Sequence, residues 1–169
     1  MSEQDFTITR EFDAPRELVY KAWTDCDHFV HWFSPKEFTT SHCSIDLRPG
    51  GVWTSAMRSP EGNDFYSSGT FVEIDEPSRF VIDGGFSDAQ GNRVSAQEYG
   101  MSDDMPSEER MTVTLEEHGS RTRMTVRQSI PSDVAERNGA PQGWQETLDK
   151  LDAYLSELQE KLYANGRCG

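Results

Sequence analysis

The chain has 169 residues, enough for one domain with a real core and short for two. Hydrophobic residues make up 34%, and no stretch approaches the roughly 20 apolar residues of a membrane helix. The formal charge of −14 opposes a phosphate backbone or an anionic lipid surface, which argues against nucleic-acid and membrane partners.

The start, MSEQDFTITR, opens acidic and turns strand-like, with neither the charged leader nor the apolar run of an export signal. The expectation is therefore cytoplasmic localisation, with Cys26, Cys43 and Cys168 as reduced thiols. Apolar and polar residues alternate through Phe6 and Ile8, and Phe12 follows after a break, so residues 6–13 read as a strand. APRELVYKAWTD then begins a helix: Pro15 suits its first turn, and Leu18, Val19, Ala22 and Trp23 form an apolar stripe. DCDHFVHWF reads as a second short helix, capped by Asp25 or Asp27 and ended by Pro35.

From residue 38 the period changes to two. TSHCSIDL and VWTSAMR flank RPGG, where Pro49 and Gly50 match the middle of a type II turn and predict a hairpin. SSGTFVEID and RFVIDGGF follow around the turn EPS. Residues 87–109 are polar and read as a long loop; one of that length inside a compact domain is uncommon and often functional. RMTVTLEE and RTRMTVRQS form a last hairpin around HGS. After NGAPQG, the series Trp144, Leu148, Leu151, Leu155, Leu158 and Leu162 alternates spacings of four and three, which predicts one long amphipathic helix.

One long apolar helix and about seven strands, each with a face to bury, fit a sheet curled around that helix. One helix does not fill so wide a sheet, so the arrangement predicts a cavity between them, the usual form of a small-molecule site. The fold class is α+β, with a single domain over residues 1–163 and a disordered tail over 164–169. Alternation points Trp53, Met57 and Phe71 toward the cavity, and likewise Phe80, Met111 and Val113. Trp144, Leu148 and Leu151 stand opposite on the helix. Taken singly, each of these nine side chains reads more readily as packed core. The loop 87–109, with Tyr99, Met101 and Met105, could cover the entrance or stand as an acidic surface loop.

Metal and catalytic chemistry find little purchase in this pattern. Cys26, His28, His31, His42 and Cys43 offer zinc donors, but there is no C-x-x-C or H-E-x-x-H spacing. His42 and Cys43, adjacent on a strand, point to opposite sides of the sheet. The stretch reads as a solvated helix face with Phe29 and Trp32 turned inward, and no metal or cofactor is expected. No G-x-S-x-G elbow or paired histidine marks a nucleophile. Glu73, Asp75 and Asp83 lie on strands as acid–base candidates, more plausibly facing water at alternate positions.

The segments ITREFDAPRELVYKAWTD, WFSP, IDLRPGGVW, FVEIDEPSRFVI and GWQETLDKLDAYL together resemble bacterial proteins related to the C-terminal domain of the activator of the ninety-kilodalton heat-shock protein ATPase. That family belongs to the START-like (SRPBCC) superfamily. YGM…MPSEERMTVTLEE and TRMTVRQSIP extend the resemblance to nearly the whole chain. It implies a helix-grip fold, the arrangement that the element order predicts. It does not imply one activity, since the superfamily includes lipid carriers, hormone receptors, cyclases and co-chaperone domains. Three expectations follow: a non-catalytic carrier or sensor of an apolar small molecule, a co-chaperone-like module for a heat-shock chaperone in a stress response, and a cyclase- or hydrolase-type enzyme using the same cavity. A monomer or a homodimer is compatible with all three.

Overall fold

The computed structural model describes the backbone of residues 4–168 and the side chains of residues 4–161. The chain opens with β1 (Asp5–Phe12), α1 (Arg16–Thr24) and α2 (Cys26–Phe29). Strands β2 (Thr39–Ile45), β3 (Val52–Arg58), β4 (Asp64–Asp75) and β5 (Arg79–Ser87) follow. A single 3₁₀ turn at Ala96–Tyr99 interrupts the long loop before β6 (Glu108–His118) and β7 (Arg121–Pro131). Helices α3 (Ser132–Arg137) and α4 (Ala140–Cys168) complete the fold. The expected tail over 164–169 coincides with the last turns of α4 as far as residue 168, while Gly169 lies outside the described residues.

All seven strands form one antiparallel sheet in the order β1-β7-β6-β5-β4-β3-β2. Consecutive strands from β2 to β7 are neighbours, joined by short connections except between β5 and β6, where the long loop intervenes. Only β1 departs from chain order: α1 and α2 carry the chain from its edge to the opposite edge, where β2 begins. The β2–β3 hairpin closes with Gly51 N–H donating to Arg48 O (2.8 Å) and Gly50 at φ +83°, a left-handed value that glycine adopts without a Cβ clash.

The core is aromatic where α1 and α2 meet the sheet. Trp23 stands edge-on to Trp32 (centroids 4.9 Å) and to Phe80 (5.6 Å), and its indole N–H is satisfied by Met124 Sδ (3.1 Å). Trp32 Nε1 donates to Ala22 O (3.0 Å), so neither buried indole is left unpaired. The middle of α4 seats Leu148, Leu151 and Leu155 against the sheet, all three fully buried. Leu158 is partly buried, and the Leu162 side chain lies outside the described residues.

Three expectations change. Cys26 and Cys43 are joined in a disulfide rather than reduced: α2 lies over β2 and sets their Cα atoms 5.7 Å apart, within bridging range. Phe71 and Glu73, two apart on β4 where strict alternation would put them on one face, are split by a bulge, so Phe71 is buried while Glu73 is exposed beside Arg79 (2.8 Å). The stretch bearing His28 and His31 is helical only as far as Phe29 and is not simply solvated: His28 Nδ1 lies 2.6 Å from the Tyr154 hydroxyl, and His31, in the turn that follows, stacks on the same ring (centroids 5.2 Å).

Candidate functional site

A cavity of about 540 Å³ lies between the sheet and the first turns of α4. Its position follows from residue size. On β5, Gly84, on the face it shares with Ile82 and Phe86, presents no side chain to the wall, and α4 contributes only Ala140 and Gly143 in its first turn. The glycines are dictated by close backbone approach: a Cβ on Gly84 would fall 2.4 Å from Ser68 O, and one on Gly85 only 1.9 Å from Ser107 O. Farther along α4 the leucines return and the space closes.

Four of the nine residues read from the sequence reach this wall: Trp53, Met57, Met111 and Trp144. The other five, Phe71, Phe80, Val113, Leu148 and Leu151, are buried in the core cluster and do not line the cavity. Phe33 joins Trp53 (centroids 6.3 Å) and Trp144 (6.0 Å) into a continuous aromatic side. Met101, Met105 and Pro106 of the long loop also line the cavity. That loop is fastened by polar contacts. Tyr99, which does not line the cavity, donates its hydroxyl proton to Ser87 O (2.6 Å); Gln97 donates to Ser102 O (2.7 Å) and Ser102 N–H to Asn138 Oδ1 (2.9 Å). An ion pair between Asp104 and Arg137 joins the loop to α3.

One carboxyl stands on the wall, Glu109. Its neighbours are fixed in order. Trp144 Nε1 can only donate, and it donates to Gln128 Oε1 (3.1 Å), which turns the amide nitrogen of Gln128 onto Glu109 Oε1. Glu109 Oε2 is buried without a partner. Burial, only partly offset by the Gln128 hydrogen bond, pushes the Glu109 carboxyl up to about 7. The sequence reading misses this residue because it ends the polar loop at 109, whereas β6 begins at Glu108. Alternation back from Leu115, Val113 and Met111 leads to Glu109 and is the signal that points to it.

The acid–base candidates lie elsewhere. Glu73, Asp75 and Asp83 are exposed, and Arg110, bonded to Asp83 through two nitrogens (2.7 and 2.8 Å), holds the Asp83 carboxyl below its ordinary range. Of the zinc donors, both cysteines are consumed by the disulfide, and His42 lies 3.1 Å from Thr54 Oγ1 on the exposed face. Among the described residues no three His, Cys, Asp or Glu side chains converge as a metal site. No described helix is long and apolar enough to cross a membrane.

A curved antiparallel sheet holding one long helix, with an apolar cavity between them, defines a START-like helix-grip domain. The family model described as Activator of Hsp90 ATPase homolog 1-like protein matches residues 13–156, and the chain belongs to that family. The chain is similar to a crystal structure of a protein from Nitrosomonas europaea at 26% identity and TM-score 0.76, covering 95% of this chain and 99% of that one. A solution structure from Arthrobacter aurescens is similar at 28% identity and TM-score 0.77, covering 92% of this chain and 87% of that one. An AHSA1 protein from Silicibacter pomeroyi, at 21% identity and TM-score 0.71, covers 90% of this chain and 97% of that one and shares the fold. No curated protein sequence matches.

Proposed function

We propose that the protein binds an apolar small molecule in the cavity between the sheet and α4, as a non-catalytic carrier or sensor. The observation that carries this reading is the cavity itself. About 540 Å³ of space, with aromatic and methionine side chains on its walls and few polar groups, falls in the size range of small-molecule sites. Methionines on the wall adapt to ligands of different outline, and aromatic faces suit flat or oily bodies. A thermal-shift screen of apolar compounds tests the reading. A ligand at 100 times its Kd adds about 2.7 kcal/mol, which at roughly 2–4 °C per kcal/mol raises Tm by about 5–11 °C. If a broad screen leaves the transition unmoved, the carrier reading falls.

Glu109 favours a second reading, an enzyme of the cyclase or hydrolase type. A carboxyl near neutrality in an apolar site is poised to exchange protons with a bound substrate. Turnover of a candidate substrate that survives Glu109→Gln unchanged would dismiss it.

A further inference from the structure

Hydrogen bonding defines what the cavity asks of a ligand more narrowly than its apolar walls do. Trp144 and Gln128 use their polar atoms on each other and on Glu109 Oε1, which leaves Glu109 Oε2 as the buried side-chain atom on this wall without a partner. Among the wall residues no lysine, arginine or histidine occurs, and the one other titratable residue, Tyr66, donates its hydroxyl to Asp64 (3.4 Å). The charged groups on the elements packed around Glu109 are engaged away from it. On β6 and β5, Glu108 pairs with Arg93 and Arg110 with Asp83; on β7, Arg127 pairs with Asp5. Arg137 of α3 holds Asp104 and Asp133, while Asp103 is exposed. On α4, Glu146 accepts from Lys36 N and Gln142, and Lys150 donates to Ser34 Oγ and the carbonyls of Pro35 and Phe38. A ligand carboxylate or phosphate would find no countercharge here and would meet a carboxyl. An ammonium would find one, beside the faces of Phe33, Trp53 and Trp144, which also attract cations.

We propose that the cavity selects amphiphiles with a single protonated amine on an apolar body, the ammonium paired with the Glu109 carboxylate and the body held against Trp53, Trp144 and Met111. This rests on the cavity's being a ligand site and names the class of ligand. Glu109 is ionised in the complex, so below neutrality binding requires it to release a proton, and the affinity for the amine falls as pH drops.

Three probes with one body and different heads test it: phenylhexylamine, phenylhexanol and phenylhexanoate, titrated calorimetrically into the wild-type protein at about pH 8, where the amine is charged. The amine is expected to bind about 10-fold tighter than the alcohol, and the acid weakest of the three. In Glu109→Gln the preference of the site for the amine over the alcohol, measured on the same variant, falls about 10-fold and is lost. On the wild-type protein alone, lowering the pH to about 6 weakens the amine by several-fold and leaves the alcohol unchanged. An amine no tighter than the alcohol, a preference that persists in Glu109→Gln, or an amine affinity flat across this pH range overturns the proposal while leaving the cavity as a site for the alcohol. Absence of binding by all three overturns the proposal together with the reading beneath it.

Discussion

A carboxyl group in apolar surroundings favours its neutral form, and the cost of ionising it is taken from folding stability. Glu109 carries that cost between its ordinary value of 4.5 and the value of about 7 it has in the fold. In this window the folded chain holds a proton that the unfolded chain has released. Stability is therefore full below about pH 4.5, declines as pH rises, and is lowest above about 7. Glutamine at 109 keeps an oxygen to accept from Gln128 and has no charge to bury. Glu109→Gln is accordingly expected to exceed the wild type by about 1–3 kcal/mol at pH 8 and to match it near pH 4, the unmet amide donor trimming the gain. Urea unfolding of both proteins at the two pH values measures this. Parallel stability profiles would mean that Glu109 is solvated in the folded state. The same residue shows how close the site lies to legibility. β6 alternates without a break from Glu109 to Leu115, and only the surrounding run SEER, polar throughout, makes 109 read as loop.

At the scale of elements, α4 does two jobs along one apolar stripe. Leu148 and Leu151 meet the sheet directly and are fully buried, whereas Ala140 and Gly143 stand back and leave space. Leu151→Ala removes contacts that nothing can replace and should cost about 2–5 kcal/mol, read from denaturant midpoints; a loss under about 1 kcal/mol would show that the site collapses onto itself. Gly143→Ala acts in the opposite sense. A Cβ there meets only Pro35 at 3.9 Å, so the helix gains propensity without a clash, and stability should rise by about 0.5–1 kcal/mol. A destabilised Gly143→Ala would mean that the first turns of α4 need the freedom of glycine. The regular spacing of Trp144 to Leu158 and the alternation of the strands make these elements readable from the sequence alone. Spacing does not report how far a helix stands from a sheet, which is why Leu148 and Leu151 read, with Trp144, as cavity wall. Helix α3, at six residues, is too short for its periodicity to show.

For the whole molecule, the open sheet leaves two edges, and each is tied to a helix differently. At β1, Arg10 pairs with Asp149 of α4 (2.7 Å) and Gln159 donates to Asp13 O (2.7 Å), both exposed contacts of modest worth. At β2, the opposite edge, the tie is the Cys26–Cys43 bond. That link is hidden from the sequence because it depends on α2 crossing onto the far edge, a tertiary fact that local pattern does not contain. The residues between the two cysteines include Phe33, Pro35 and Phe38, which line the cavity, so the bond closes a loop that carries part of the wall. With a separation of 17 residues, the chain-entropy relation assigns it about 3 kcal/mol. Reduction, or replacement of both cysteines by serine, should lower Tm by roughly 6–12 °C. It should also weaken any cavity ligand, because Phe33 and its neighbours must then be ordered on binding. Calorimetric scans with and without a phosphine reductant, followed by ligand titrations of the same samples, measure both effects, and the double serine variant should ignore the reductant. An unchanged Tm would mean that packing of Phe29 and Trp32 alone holds α2 on the sheet; a lowered Tm with ligand affinity intact would place the ordering of the wall elsewhere than in this loop.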